Sequence, residues 1–234
     1  MSESSVAAFL ATPLAAAHGV ARLADLGRRT LVMGILNATP DSFSDGGRFA
    51  GIDAALAQAR RMIAEGADIV DVGGESTRPG HETVSAEDEQ RRVLPVIERL
   101  AEISPVPISI DTYKASTARL AGARIVNDVW GLTRDPEMAR VVADFRAPVI
   151  VMHNRDSADP TIDTIADQLG FFRRSIDLAL AAGVREEDVI VDPGIGFGKT
   201  FEQNVETLAR LGELAALGRP ILLGTSRKRM IGAI

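Results

Sequence analysis

Acids and amides recur where short apolar runs stop: Asp111 after residues 107–110, Asn127 and Asp128 after 124–126, and Asp192 after 189–191. Taken singly, each has an ordinary explanation as a turn initiator, and Asp192 stands directly before the turn pair Pro193-Gly194. That explanation does not readily cover three runs in succession. Carboxylates and amides at the ends of separate strands can face one mouth. There they bind the N–H and C=O edge of a polar heterocycle or stabilise a developing positive charge.

Other polar segments follow the remaining runs. Asn37-Ala38-Thr39-Pro40-Asp41-Ser42-Phe43-Ser44-Asp45-Gly46-Gly47 is a long loop with one large apolar side chain, Phe43, placed to close over a ligand. Asn37, at its start, offers an amide oxygen to Mg²⁺ shared with phosphate oxygens. As a bland loop, Asn37 and Asp41 would cap turns and Phe43 would pack on the rim. Asp71-Val72-Gly73-Gly74-Glu75-Ser76-Thr77-Arg78-Pro79-Gly80 carries two glycines that admit close approach of a ligand, and Arg78, whose planar fork suits carboxylate or phosphate.

Gly196-Phe197-Gly198-Lys199-Thr200 imitates the end of a P-loop, but that motif needs glycine at position 193, which is Pro193. Phe197 is better read as a stacking surface for an aromatic ligand, and Lys199 as solvated. In Gly224-Thr225-Ser226-Arg227-Lys228, Ser226 and the first amides of a following helix form an anion site to which Lys228 adds a cation. His153, with no acid partner visible in the sequence, is assigned a structural hydrogen bond rather than catalysis.

The elements that position these residues are read from periodicity. Seven runs of strand length (31–36, 69–72, 107–110, 124–126, 148–152, 189–191 and 220–223) alternate with helical patterns at 53–65, 85–103, 114–121, 136–144, 162–182 and 201–217. This alternation predicts βαβ units and a parallel sheet. An open dinucleotide-binding sheet would show Gly-x-Gly-x-x-Gly after its first strand, where Asn37-Ala38-Thr39-Pro40 stands instead. Polar residues after nearly every strand favour a TIM-type (β/α)8 barrel, whose loops share one mouth. The expected organisation is a cap segment over 1–30 and a barrel over 31–234 that stops after its seventh strand.

Composition narrows the function classes. A net charge of −6 argues against broad nucleic-acid binding, and no apolar run reaches the length of a membrane span. The Ala-rich stretch 6–17 follows Glu3 without any Lys or Arg, the wrong charge for a secretory leader, so a cytoplasmic location is expected. The chain has no cysteine, and its histidines (His18, His81 and His153) form no ligand pair, so protein-held zinc is not expected.

Together, residues 31–231 resemble the dihydropteroate synthase family of folate biosynthesis. The resemblance rests on Gly34-Ile35-Leu36-Asn37 through Gly47, Gly73-Gly74-Glu75-Ser76-Thr77-Arg78-Pro79-Gly80, Asp192-Pro193-Gly194-Ile195-Gly196-Phe197-Gly198-Lys199 and Ser226-Arg227-Lys228. It implies a transferase that condenses 6-hydroxymethyl-7,8-dihydropterin diphosphate with p-aminobenzoate, giving 7,8-dihydropteroate and pyrophosphate. By the same resemblance, Asp111, Asn127, Met152, Asp192, Phe197, Gly224 and Lys228 would bind the pterin. Asn37 would hold Mg²⁺ and diphosphate, while Phe43, Thr77, Arg78, Pro79 and Ser226 would surround diphosphate and p-aminobenzoate. Asp111, Lys228 and Arg78 would carry catalysis, with Asp111 stabilising the cation left as diphosphate departs. The family is usually a homodimer and places an Arg-x-His motif after its eighth strand. That motif is not in this sequence, so weak or absent activity and a doubtful dimer are expected. A related pterin-binding methyltransferase barrel and a non-enzymatic pterin-binding fragment are the alternatives. The Thr39-Pro40-Asp41-Ser42-Phe43-Ser44 loop and Ser76-Thr77-Arg78-Pro79-Gly80 favour the synthase.

Overall fold

The structure is a computed structural model that describes residues 23, 25–38, 47–75, 83–122 and 124–233. Contacts divide the chain into two compact units, Met1–Val126 and Asn127–Ile234.

In the first unit, β1 (Met33–Asn37), α1 (Gly47–Ala64), β2 (Ile69–Gly73), α2 (Ala86–Ile103), β3 (Ile108–Asp111) and α3 (Ala115–Leu120) alternate in order. β1 pairs parallel with β2 and β2 with β3, in a register that sets Asn37 beside Gly73 and Gly73 beside Asp111. The three strand ends named from the sequence are thus level with one another. Every residue of β2 is buried, Asp71 included, so the strand shows no alternation between a buried and a solvent-facing side. α2 begins where Ser85 accepts a hydrogen bond from the Asp88 amide, and it buries Val93, Val96, Ile97 and Leu100 along one face.

β4 (Ile125–Asp128) leads into the second unit, where α4 (Met138–Phe145), β5 (Val149–Met152), α5 (Thr164–Ala182), β6 (Val189–Asp192) and α6 (Phe201–Ala209) follow. β5 and β6 pair parallel with Met152 beside Asp192. All four residues of β4, β5 and β6 are buried. α5 is fixed at its start by Asp163, which accepts from the Ile165 and Ala166 amides, and at its end by Gly183 in the left-handed region. Its inner face places Phe171 and Phe172 edge-on to each other and to the His153 ring.

Three expectations need correction. The helix expected at 53–65 starts at Gly47, six residues earlier, because Gly46-Gly47 reads locally as loop. The helix expected over 201–217 ends at Ala209 and continues as a 3₁₀ segment, Leu211–Leu217. Arg210 leaves helical geometry at φ −108°, ψ 15°, just before Gly212, a poor helix former. The seventh strand is reduced to one parallel bridge, Val191 with Ile221. Its two hydrogen bonds run from Val191 N to Pro220 O and from Leu222 N to Val191 O. The next rungs would need N–H groups on Pro193 and Pro220, and proline has none.

Candidate functional site

In the first unit, Asp111 ends β3 half-buried against Gly73; a Cβ on Gly73 would stand 3.2 Å from Asp111 Oδ2. A side chain at position 73 would therefore displace the Asp111 carboxylate. Asn37 is exposed at the end of β1, and the next amide, of Ala38, donates to Gly73 O at 2.7 Å. Behind these strand ends lies an ionic cluster. Lys114 contacts the Glu75 carboxylate and lies 3.4 Å from Glu89, which is almost wholly buried and accepts from Thr112 Oγ1 at 2.9 Å. Tyr113 also donates to Glu75, and Arg92 to Gly74 O. Burial opposes the Lys114 charge, but the two carboxylates outweigh it and hold its pKa above the usual lysine value. The cluster holds Gly74 and Glu75, in the middle of the second polar segment.

In the second unit, Asn127, Met152 and Asp192 are all buried at the ends of β4, β5 and β6. The turn role considered for Asp192 is real, since its Oδ1 accepts from Gly194 N at 2.8 Å. Burial pushes the Asp192 pKa up to about 6, against the opposing influence of that amide and of Lys199 and Lys228. Asp128 is a turn residue of the same kind, accepting from the Trp130 and Leu132 amides, and burial raises its pKa to about 6.

After Asp192 the chain makes three left-handed glycine steps, at Gly194, Gly196 and Gly198. Two of them are packed against main chain: a Cβ on Gly194 would lie 2.1 Å from His153 O, and one on Gly198 would lie 2.6 Å from Arg155 O. These close approaches swing Phe197 under Lys228, whose Nζ stands 4.1 Å from the ring centroid. The Lys228 stem also lies against Gly196. Met152, Asp192, Phe197 and Lys228, four of the residues that the resemblance assigns to the pterin, are thereby gathered. Gly224 is half-buried and Ser226 exposed. The helix expected after Ser226 is instead a five-residue 3₁₀ segment, Arg229–Ala233, with Arg227 left-handed before it, so Ser226 is not a helix cap. Phe43, Thr77, Arg78 and Pro79 lie outside the described residues.

The hydrogen-bonding role assigned to His153 agrees with the structure, which adds a partner the sequence did not show, whereas Lys199 was misjudged. His153 does have an acid partner: its Nε2 lies 2.8 Å from Asp167 Oδ2. Lys199 is not solvated. Its Nζ lies 2.8 Å from His153 Nδ1, 3.0 Å from Gly194 O and 3.1 Å from Phe197 O. Burial lowers the Lys199 pKa to about 7, and burial together with the Lys199 charge lowers that of His153. No local spacing links His153 to Asp167, fourteen residues on and inside α5, so nothing in the linear pattern announced the pair. A cavity of about 500 Å³ near the ends of β4 and β5 is lined by Trp130, Arg134, Asn154, Arg155 and Phe171 among others, and by none of the residues expected to hold the heterocycle.

The model of the pterin binding enzyme family matches residues 33–234. The chain belongs to that family. A dihydropteroate synthase of Clostridium beijerinckii is 53% identical over 211 residues, covering 89% of this chain and 78% of that protein. Among solved structures of the family, the dihydropteroate synthase of Clostridium difficile in the presence of pteroic acid is similar at a TM-score of 0.87 and 53% identity, over 89% of this chain and 81% of that one. The Xanthomonas albilineans dihydropteroate synthase with 4-aminobenzoic acid gives 0.83 and 48%, over 88% and 76%. The α/β barrel class expected from the sequence stands with this likeness.

Proposed function

We propose that this member of the pterin binding enzyme family catalyses the dihydropteroate synthase reaction, condensing 6-hydroxymethyl-7,8-dihydropterin diphosphate with p-aminobenzoate in the cytoplasm. The observation that carries the reading is the grouping of buried Asp192 with Phe197 and Lys228 at the end of β6. A carboxylate held at the floor of an apolar site suits the paired N–H donors of a pterin. Its raised pKa also means that binding these donors stabilises the charge that burial disfavours. Asn127 supplies a further amide and Met152 an apolar wall. Lys228 approaches a pterin acceptor while Phe197 presents its ring, and Gly224 leaves room beside them.

As the C–O bond to diphosphate breaks, the electron pair leaves with the diphosphate and the pterin methylene becomes cationic. The resemblance assigns the stabilisation of that charge to Asp111. The neutral amine of p-aminobenzoate then forms the C–N bond and loses a proton, so no protein nucleophile takes part. The exposed amide oxygen of Asn37 suits Mg²⁺ that keeps most of its waters, and no cluster of three or more acidic, His or Cys ligands exists among the described residues. Bound there, Mg²⁺ would neutralise the departing diphosphate. Phe43, Thr77, Arg78 and Pro79 are assigned to the diphosphate and p-aminobenzoate loops, Ser226 to the carboxylate of p-aminobenzoate, and Arg78 and Lys228 to charge neutralisation during transfer.

The test mixes the protein with both substrates and Mg²⁺ and measures pyrophosphate together with dihydropteroate; formation of neither overturns the proposal. Calorimetry with 6-hydroxymethyl-7,8-dihydropterin isolates the pterin site. Asp192→Asn turns an acceptor into a donor facing the pterin N–H groups, and loss of a charged hydrogen bond should weaken binding roughly 10- to 150-fold. Unchanged affinity would show that the pocket is elsewhere.

A further inference from the structure

We propose that Lys199 is a positioning residue for pterin binding, a three-way clasp that holds the segment after Asp192 so that Phe197 stays beneath Lys228. The proposal rests on the pterin reading above. An ammonium has three donors and no acceptor. Lys199 has three close acceptors, His153 Nδ1, Gly194 O and Phe197 O at 2.8, 3.0 and 3.1 Å, while His153 O stands farther off at 3.4 Å. For Nδ1 to accept, the imidazole must be neutral with its proton on Nε2, and Nε2 faces the Asp167 carboxylate at 2.8 Å. The chain Asp167, His153, Lys199 and two main-chain carbonyls is then complete, with every proton accounted for.

The clasp joins three parts of the second unit. Gly194 and Phe197 belong to the segment that carries the site. His153 follows β5 and is locked by the Phe171 and Phe172 edges. Lys199 itself precedes Thr200, which starts α6 through a reciprocal capping box with Gln203. Each left-handed glycine step gives the 194–198 segment freedom in the backbone. The clasp removes that freedom at both ends of the turn bearing Phe197. The charged groups facing Lys199 come from every side: Asp192 on β6 and Asp167 on α5 favour its proton, whereas Arg155 after β5 and Lys228 oppose it.

Loss of one proton leaves Lys199 with two donors for three acceptors, so the clasp opens as the pH rises through about 7. On the acid side, binding weakens as Asp192 takes up a proton near pH 6. The experiment is calorimetric binding of 6-hydroxymethyl-7,8-dihydropterin from pH 5 to 9 by the wild-type chain, Lys199→Met and Asp167→Asn. Lys199→Met keeps the apolar stem and removes every donor. It should weaken binding at pH 6.5 roughly tenfold, the loss expected for one charged hydrogen bond, and abolish the alkaline fall while leaving the acid one. Asp167→Asn can still accept from Nε2 but removes a charge that favours protonated Lys199, so the alkaline inflection should move to lower pH. Affinity within twofold of wild type in Lys199→Met, or an alkaline fall that persists in it, overturns the clasp. If Lys199→Met does not fold, Asp167→Asn decides, and an unmoved inflection overturns it equally. Failure of the wild-type chain to bind the pterin at any pH would instead overturn the reading of the site on which the clasp depends.

Discussion

Substituting alanine at Gly194 and at Gly218 separates a backbone cost from a packing cost. The two glycines have nearly the same φ, +63° and +65°. An added Cβ meets nothing within 4 Å at Gly218, whereas at Gly194 it would stand 2.1 Å from His153 O and 3.2 Å from Met152 Cγ. Both variants therefore lose about 1–2 kcal/mol for holding an L-residue in the left-handed region. Only Gly194→Ala adds overpacking, about 1–3 kcal/mol. The carbonyl it strikes cannot rotate away, since the His153 amide is bonded to Asp192 O at 2.8 Å and the residue is packed against Phe171 and Phe172. Totals of about 1–2 kcal/mol for Gly218→Ala and about 2–5 for Gly194→Ala translate into melting-temperature losses of roughly 2–8 and 4–20 °C at this chain length. Urea unfolding of both variants gives the difference directly, provided their m-values match wild type. Pterin affinity should drop only in Gly194→Ala, because only there does the turn below Phe197 shift. Equal destabilisation in the two variants would refute the claim that the segment is moulded on His153 O.

Asp192→Asn, expected to lose pterin, should be more stable than wild type at neutral pH. The folded pKa of about 6 lies above the ordinary aspartate value of 3.8, so folding takes up a proton between these values and wild-type stability falls as pH rises from 4 to 6. A shift of about two units is worth about 3 kcal/mol at most, and denaturation at pH 7.5 and pH 4 should show the advantage of asparagine present at the first and absent at the second. In the other unit, Lys114→Met strands the buried Glu89 carboxylate and should cost about 3–5 kcal/mol in chemical unfolding. Adding Glu89→Gln should recover most of that loss, and no recovery would mean that Lys114 acts through Glu75 instead.

Period and punctuation were enough to read most of the fold because the buried parallel strands leave short, mainly apolar runs and the helices leave a 3.6-residue pattern. They failed at residues 220–223, where composition looks like strand but Pro193 and Pro220 withhold the N–H groups that would extend the ladder. Strand-end residues such as Asn127, Asp111 and Asp192 were legible because their position follows from the run before them. His153 and Lys199 were not. Their partners come from α5 and from carbonyls of the chain itself, and a carbonyl acceptor has no sequence signature at all. Lys199 looked like surface because lysine usually is surface. Its burial follows from the left-handed steps at Gly196 and Gly198, which turn the chain back over His153, a geometry that is visible only once φ is known.

The two ends of the 192–199 segment carry opposite charges that burial opposes, and this bears on what the segment is for. Asp192 is pushed up to about 6 and Lys199 down to about 7, so each is near the edge of losing its charge at neutral pH. A segment selected for stability alone would gain from a neutral residue at position 192, because a buried charge costs more to desolvate than a distant partner returns. Asp192 recovers part of its cost from the Gly194 amide and the rest when a donor-rich ligand such as a pterin edge arrives. Lys199 recovers part of its cost at all times, from two carbonyls and an imidazole already in place. The first charge therefore waits for substrate and the second prepares the site. A double variant, Asp192→Asn with Lys199→Met, distinguishes these roles. Its stability gain should fall short of the gain from Asp192→Asn alone, because the methionine abandons three buried acceptors. A double variant more stable than Asp192→Asn would show that Lys199 is as costly as Asp192 and holds nothing in place.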